Sequence, residues 1–134
     1  MRYLLDVNVL IALGFRRHGL HEQVAVWIRS RKNDRFLTCS ITELGFVRIL
    51  GNVRTYGMGV SRARELLLRL KKSSVMPLEF IADGNDVSFL PPWAKNFAQT
   101  TDGHLVQLAS SNDAVLATMD KGIPGAFLIP SQTD

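Results

Sequence analysis

Asp6, Glu43, Asp102 and Asp120 are far apart in the sequence, yet each falls where an expected strand ends or the next helix begins. In a parallel α/β fold such positions converge at the carboxyl edge of the sheet, the usual ligand crevice. Four carboxylates gathered there repel one another unless a cation neutralises them. Carboxylate oxygens are hard ligands suited to Mg²⁺ or Mn²⁺. Zinc is disfavoured, because neither His18 and His21 nor the lone Cys39 completes a nitrogen and sulfur ligand set. The chemistry this points to is metal-assisted hydrolysis of a phosphodiester, the work of a nuclease.

The elements that must position these acids can be read from the apolar pattern. Tyr3-Leu4-Leu5 is a short buried strand, followed by a helix from Val7 to Leu13. Leu20, Val24, Trp27, Ile28 and Arg31 recur at helical spacing, which predicts an amphipathic helix near residues 20 to 31. Phe36-Leu37-Thr38 reads as a second strand, and a helix from about Ile41 ends near Leu50 with Gly51 as its cap. Arg54 to Gly59 reads as a loop. Ser61 is the expected cap of a helix striped by Ala63, Leu66, Leu67 and Leu70.

Pro77 interrupts Val75 to Phe80, which makes that stretch an edge strand. Asp83 to Asp86 is turn-like, and a short helical piece is expected around Trp93 to Phe97. Thr101 is the expected cap of a helix running to Ser111, and Val115 to Thr118 and Phe127 to Ile129 complete the strands. Alternating strands and helices imply a three-layer α/β/α domain with a mainly parallel central sheet.

Each acid also has an ordinary structural explanation. Asp6 caps the helix at Val7. In Ser40-Ile41-Thr42-Glu43, a capping box brings Glu43 back to the backbone of Ser40. Asp102 suits the first turn of a helix, and Asp120-Lys121-Gly122 is a common turn. Their joint placement at strand ends is what favours a site. Asn8, Ser40 and Thr118 flank the acids and are read as supports that orient them, with Thr42 assigned to structure. Arg16 and Arg17, in the loop after the first helix, are candidates for holding flanking phosphates, or else a solvated turn. His104 is a weak further candidate, two places beyond Asp102.

With 134 residues the chain is expected to be one domain, residues 1–134, large enough for a real core. Cys39 is expected in that core, in keeping with a reducing, cytoplasmic setting. No membrane span or signal peptide is expected. Sixteen Lys and Arg against twelve Asp and Glu give +4; setting the four clustered acids aside leaves a body of +8. A basic body around an acidic focus suits a polyanionic substrate bridged by metal.

Four blocks carry a family resemblance: Leu4-Leu5-Asp6-Val7-Asn8-Val9-Leu10-Ile11, Thr42-Glu43-Leu44-Gly45-Phe46-Val47-Arg48-Ile49, Thr101-Asp102-Gly103-His104-Leu105, and Leu116-Ala117-Thr118-Met119-Asp120. Their order and spacing resemble PIN-domain proteins, specifically the VapC-type toxins of toxin–antitoxin operons. The resemblance implies an RNA-cleaving enzyme that uses Mg²⁺ or Mn²⁺ and leaves 5′-phosphate and 3′-hydroxyl ends. It also implies a homodimer and a cognate VapB-like antitoxin whose C-terminal segment covers the groove near the acids. Asp6, Glu43, Asp102 and Asp120 match the family's acidic positions, and Asn8 its frequent polar companion. Gly103 departs from the more usual Ala. Arg54 to Phe97 carries no motif and is expected to decide substrate choice.

Two other functions fit parts of this pattern. A non-catalytic PIN-like module that binds antitoxin or RNA would be free to lose an acid, but all four are intact. A response-regulator phosphotransfer domain needs adjacent acids after its first strand, whereas Asp6 is followed by Val7 and Asn8.

Overall fold

Five strands form one all-parallel sheet among the residues described by the structure, a computed structural model covering 1–73 and 76–131. They are β1 (Arg2–Leu5), β2 (Arg35–Thr38), β3 (Leu78–Phe80), β4 (Val115–Thr118) and β5 (Phe127–Leu128), in the order β3-β2-β1-β4-β5. The chain moves outward from β1 through β2 to β3, then returns to the other side of β1 for β4. The order therefore reverses between β1 and β4, and their carboxyl ends flank the topological switch point.

Alternation along β1 divides the core in two. Tyr3 and Leu5 face one side, packed with α1 (Val7–Gly14), α2 (His21–Arg29), α3 (Ser40–Leu50) and α5 (Val60–Lys71) through Val9, Leu10, Trp27, Phe46 and Leu67. Leu4 faces the other side, where Leu37, Cys39, Leu116 and Ile81 meet Leu105 and Leu108 of α6 (Thr100–Ser111). The result is the three-layer α/β/α arrangement expected from the sequence, with Cys39 fully buried.

Several local features depart from the sequence reading. Residues 53–56, overlapping the start of the expected loop, make a one-turn helix, α4 (Val53–Tyr56), because Asn52 caps it by accepting from the Thr55 N–H and Gly57 closes it at φ 65°. Helix α5 begins at Val60 with Gly59 before it, so Ser61 lies inside the helix. A 3₁₀ turn over Phe97–Gln99 runs directly into α6, which moves its start ahead of Thr101; the other 3₁₀ turn is Val87–Phe89, and no helix spans Trp93 to Phe97. The edge strand is confirmed as β3, starting just after Pro77, although Val75 lies outside the described residues.

Helix α3 is held tightly against α1. A Cβ on Gly45 would come within 2.9 and 3.2 Å of the two γ-methyls of Val7. Val7 is β-branched and follows the buried Asp6, so it has little freedom to yield. Gly45→Ala is therefore expected to cost about 1–3 kcal/mol and to push the second turn of α3 away from α1. Urea unfolding of the metal-free protein measures this; an unchanged midpoint would show that the contact has slack.

Candidate active site

Asp6 is the residue immediately after β1, at the switch point. Its N–H continues the β1–β4 ladder by donating to the Ala117 carbonyl at 3.0 Å. Its carboxylate caps α1, accepting from the Val7 N–H at 2.8 Å through Oδ1. Oδ2 accepts from the Thr118 hydroxyl at 2.9 Å, which ties the ends of β1 and β4 together. Thr118 is buried at the end of β4, and its Oγ1 also accepts from the Asp120 N–H at 3.0 Å. One hydroxyl thus orients Asp6 and the turn that carries Asp120. Its sequence-predicted partner, Asn8, is instead exposed on the first turn of α1. Asn8 lines a shallow cavity of about 310 Å³ with His18, Leu20, Met119 and Asp120.

Asp102 lies in the first turn of α6. Gly103 beside it allows the 91–94 segment to close on the helix, because a Cβ there would meet Ala94 at 3.0 Å and Pro91 at 3.1 Å. The departure from Ala thus has a packing cause. The three aspartates feel one another. Burial raises the Asp6 carboxyl above the usual range; the Thr118 and Val7 hydrogen bonds offset part of this, and the Asp120 charge adds to it. Burial likewise raises Asp102, and the charges of Asp6 and then Asp120 raise it further. Carboxylates that make ionisation costly for each other form a focus with no ion-pair partner among the described residues.

Glu43 is turned elsewhere. The capping box at the start of α3 is made by Cys39 and Thr42, with the Thr42 hydroxyl accepting from the Cys39 N–H at 3.1 Å. Thr42 is structural, as expected, but Glu43 does not reach back to Ser40. Its Oε2 accepts from the Thr38 hydroxyl at 2.5 Å and lies 2.8 Å from the Lys71 ammonium at the end of α5. Ser40 is exposed and makes no side-chain hydrogen bond among the described residues. Arg16 and Arg17 are exposed in the turn after α1.

Sequence reasoning missed Thr38, Lys71 and the pairing of His104 with Asp83. A signal for Thr38 existed, since Thr38 and Thr118 each end a buried strand; Thr38 donates to Glu43 in the next helix and Thr118 to Asp6 at the end of the neighbouring strand. The hydrogen bond between His104 Nε2 and Asp83 ties α6 to the loop after β3. His18 Nδ1 accepts from the Leu20 N–H at 3.0 Å, and His21 Nδ1 lies 2.7 Å from the Ala12 carbonyl.

The donor chemistry fits a hard divalent cation. Among the described residues no three acids or histidines are drawn together closely enough to form a ready-made cage. Mg²⁺ does not need one, since it keeps several waters and takes one or two carboxylates directly. Asp6, Asp102 and Asp120 suit such a partly hydrated ion.

An all-parallel α/β/α domain with aspartates at its switch point is the architecture expected of a PIN-like domain. No family model matches the chain. It is 35% identical over 125 residues to Ribonuclease VapC38 of Mycobacterium tuberculosis, covering 90% of this chain and 86% of that protein. Ribonuclease VapC29 of the same organism is 35% identical over 139 residues, covering 99% of this chain and all of VapC29. Among solved structures, VapBC2 of Rickettsia felis bound to a promoter DNA fragment matches with TM-score 0.65 at 16% identity, covering 96% of this chain and 97% of that one. VapC20 of M. tuberculosis, a sarcin–ricin loop cleaving toxin, matches at TM-score 0.57 and 12% identity, over 93% of this chain and 88% of that one. The chain belongs to the VapC ribonuclease family.

Proposed function

We propose that the protein is the toxin of a VapBC-type pair, an Mg²⁺- or Mn²⁺-dependent endoribonuclease whose acids are Asp6, Asp102, Asp120 and Glu43. The observation that carries this reading is the buried Asp6, tied to Thr118 across the switch point and burdened by the neighbouring Asp120 charge. A bound metal supplies water activation and neutralises the scissile phosphate. The chain's own residues do the positioning. Thr118 fixes one oxygen of Asp6 and the backbone of Asp120; Asp102 adds charge from α6; Asn8 lines the cavity beside Asp120. Arg16 and Arg17 are assigned to the RNA backbone on either side, consistent with their exposure after α1.

The expected partners are RNA, a cognate VapB-like antitoxin and a second copy of this chain. The VapBC assembly of the R. felis relative supports the antitoxin. Exposed Val87, Phe89 and Phe97 support a homodimer, being apolar surface that a monomer leaves to water. No helix among the described residues is long and apolar enough to cross a membrane, in keeping with the proposed cytoplasmic setting.

The test is cleavage of a structured RNA pool with Mn²⁺ and with EDTA, mapping the product ends. Metal-dependent cuts that leave 5′-phosphates are expected. Products ending in 2′,3′-cyclic phosphate would reject water as the nucleophile. Bound Mn²⁺ without any cleavage would favour the binding-module reading.

A further inference from the structure

Lys71 is the last residue of α5, yet it reaches the first turn of α3 rather than solvent. Its ammonium lies 2.8 Å from Glu43 Oε2 and 5.3 Å from the centre of the Phe80 ring. Phe80 ends β3 and pairs in register with Thr38, which ends β2 and donates to the same Glu43 oxygen. The pair is only about one-fifth exposed on each side (22% and 20%). Ring, hydroxyl and ammonium thus form a cradle for Glu43, built from three elements at the carboxyl edge of the sheet. Asp102, by contrast, feels the charges of Asp6 and Asp120. Of the four acids, Glu43 alone has its counter-charge within the described chain.

We propose that Lys71 is an internal counter-ion that competes with the divalent metal for Glu43, so that this carboxylate joins the site only when the ion pair opens. This rests on the metal-dependent reading given above. It follows that part of the metal's binding free energy is spent separating Lys71 from Glu43, which weakens apparent affinity. By linkage, metal must weaken the ion pair to the same extent that the ion pair weakens metal binding.

The experiment is Mn²⁺ titration by calorimetry of the wild-type protein and of Lys71→Met, Glu43→Gln and the double variant, with Lys72→Met as a control for net charge. Loss of a partly exposed ion pair is expected to tighten Mn²⁺ binding about fivefold in Lys71→Met. The gain should vanish in the Glu43→Gln background, since a double-mutant cycle isolates the pair. Lys72→Met should change affinity by less than about twofold. Lys71→Gln serves in place of Lys71→Met if the latter melts well below wild type. In parallel, saturating Mg²⁺ should increase labelling of Lys71 by an amine-reactive ester, read by peptide mass spectrometry, with Lys72 unchanged.

Equal or weaker Mn²⁺ binding by Lys71→Met overturns the proposal alone. The same gain with Glu43→Gln does so too, by showing a general charge effect. Unchanged Lys71 labelling also counts against it. Absence of Mn²⁺ binding by the wild type and by every variant overturns the metal-site reading itself and this proposal with it.

Discussion

Asp6→Asn is expected to lower Mn²⁺-dependent RNA cleavage by on the order of 10³-fold while leaving the metal-free protein at least as stable as wild type. The first effect follows from removing the most buried charge at the switch point. The second follows from what that charge costs. Asn caps helices about as well as Asp, so the bond from the Val7 N–H is kept. The amide can donate to the Thr118 hydroxyl in place of the present bond. What disappears is the burial of a carboxylate beside Asp120. A rise of about 3 °C in melting temperature in EDTA is expected at neutral pH.

The sign of the pH dependence is fixed by the direction of the shift. Asp6 holds its proton more tightly in the folded chain than in the unfolded one, so its contribution to stability is fully present in acid and is lost as pH rises through its folded-state value. The advantage of the Asn variant over wild type should therefore be absent in acid and open as pH rises. Parallel melts in EDTA across this range measure it. Substantial residual cleavage, or a variant that melts far below wild type, would count against this account of Asp6.

The sequence made the architecture readable because parallel strands buried on both faces are short apolar runs, and the helices between them carry a 3.6-residue stripe. Asp6 and Asp102 were readable for a related reason: strand ends and helix starts are places where polar side chains are conspicuous. The orientation of Glu43 was not readable. Its local sequence matches a capping box, and only the fold reveals that Thr42 takes that role and frees Glu43 to meet Thr38 and Lys71. Lys71 was hidden among Arg69 and Lys72 at the basic end of an amphipathic helix. Which of those cations turns inward depends on how α5 packs against α3 and β3, a property of tertiary structure. Asn8, read as a support from its nearness in sequence, stands exposed on α1 beside Asp120. The actual partner of Asp6, Thr118, lies 112 residues away.

Mg²⁺ or Mn²⁺ at about a hundred times its dissociation constant is expected to stabilise the wild-type protein by about 2.7 kcal/mol, a rise on the order of 10 °C in melting temperature. Without metal, Asp6 and Asp102 both have raised folded-state values, so together they make the protein less stable as pH rises from acid towards neutrality. With metal the same groups must give up their protons to bind it, so the stabilisation by metal grows over that range. The contributions of these two residues to the pH slope should thus have opposite signs in EDTA and in saturating metal. Comparing the melts of wild type with those of Asp6→Asn and Asp102→Asn shows how much of the pH slope depends on each aspartate together with the neighbours coupled to it. A melting temperature indifferent to metal, or a metal increment that is the same in acid and at neutrality, would mean that these aspartates do not hold the ion. If both signs appear as expected, the mutual repulsion that destabilises the empty site is also what gives the metal its hold on it.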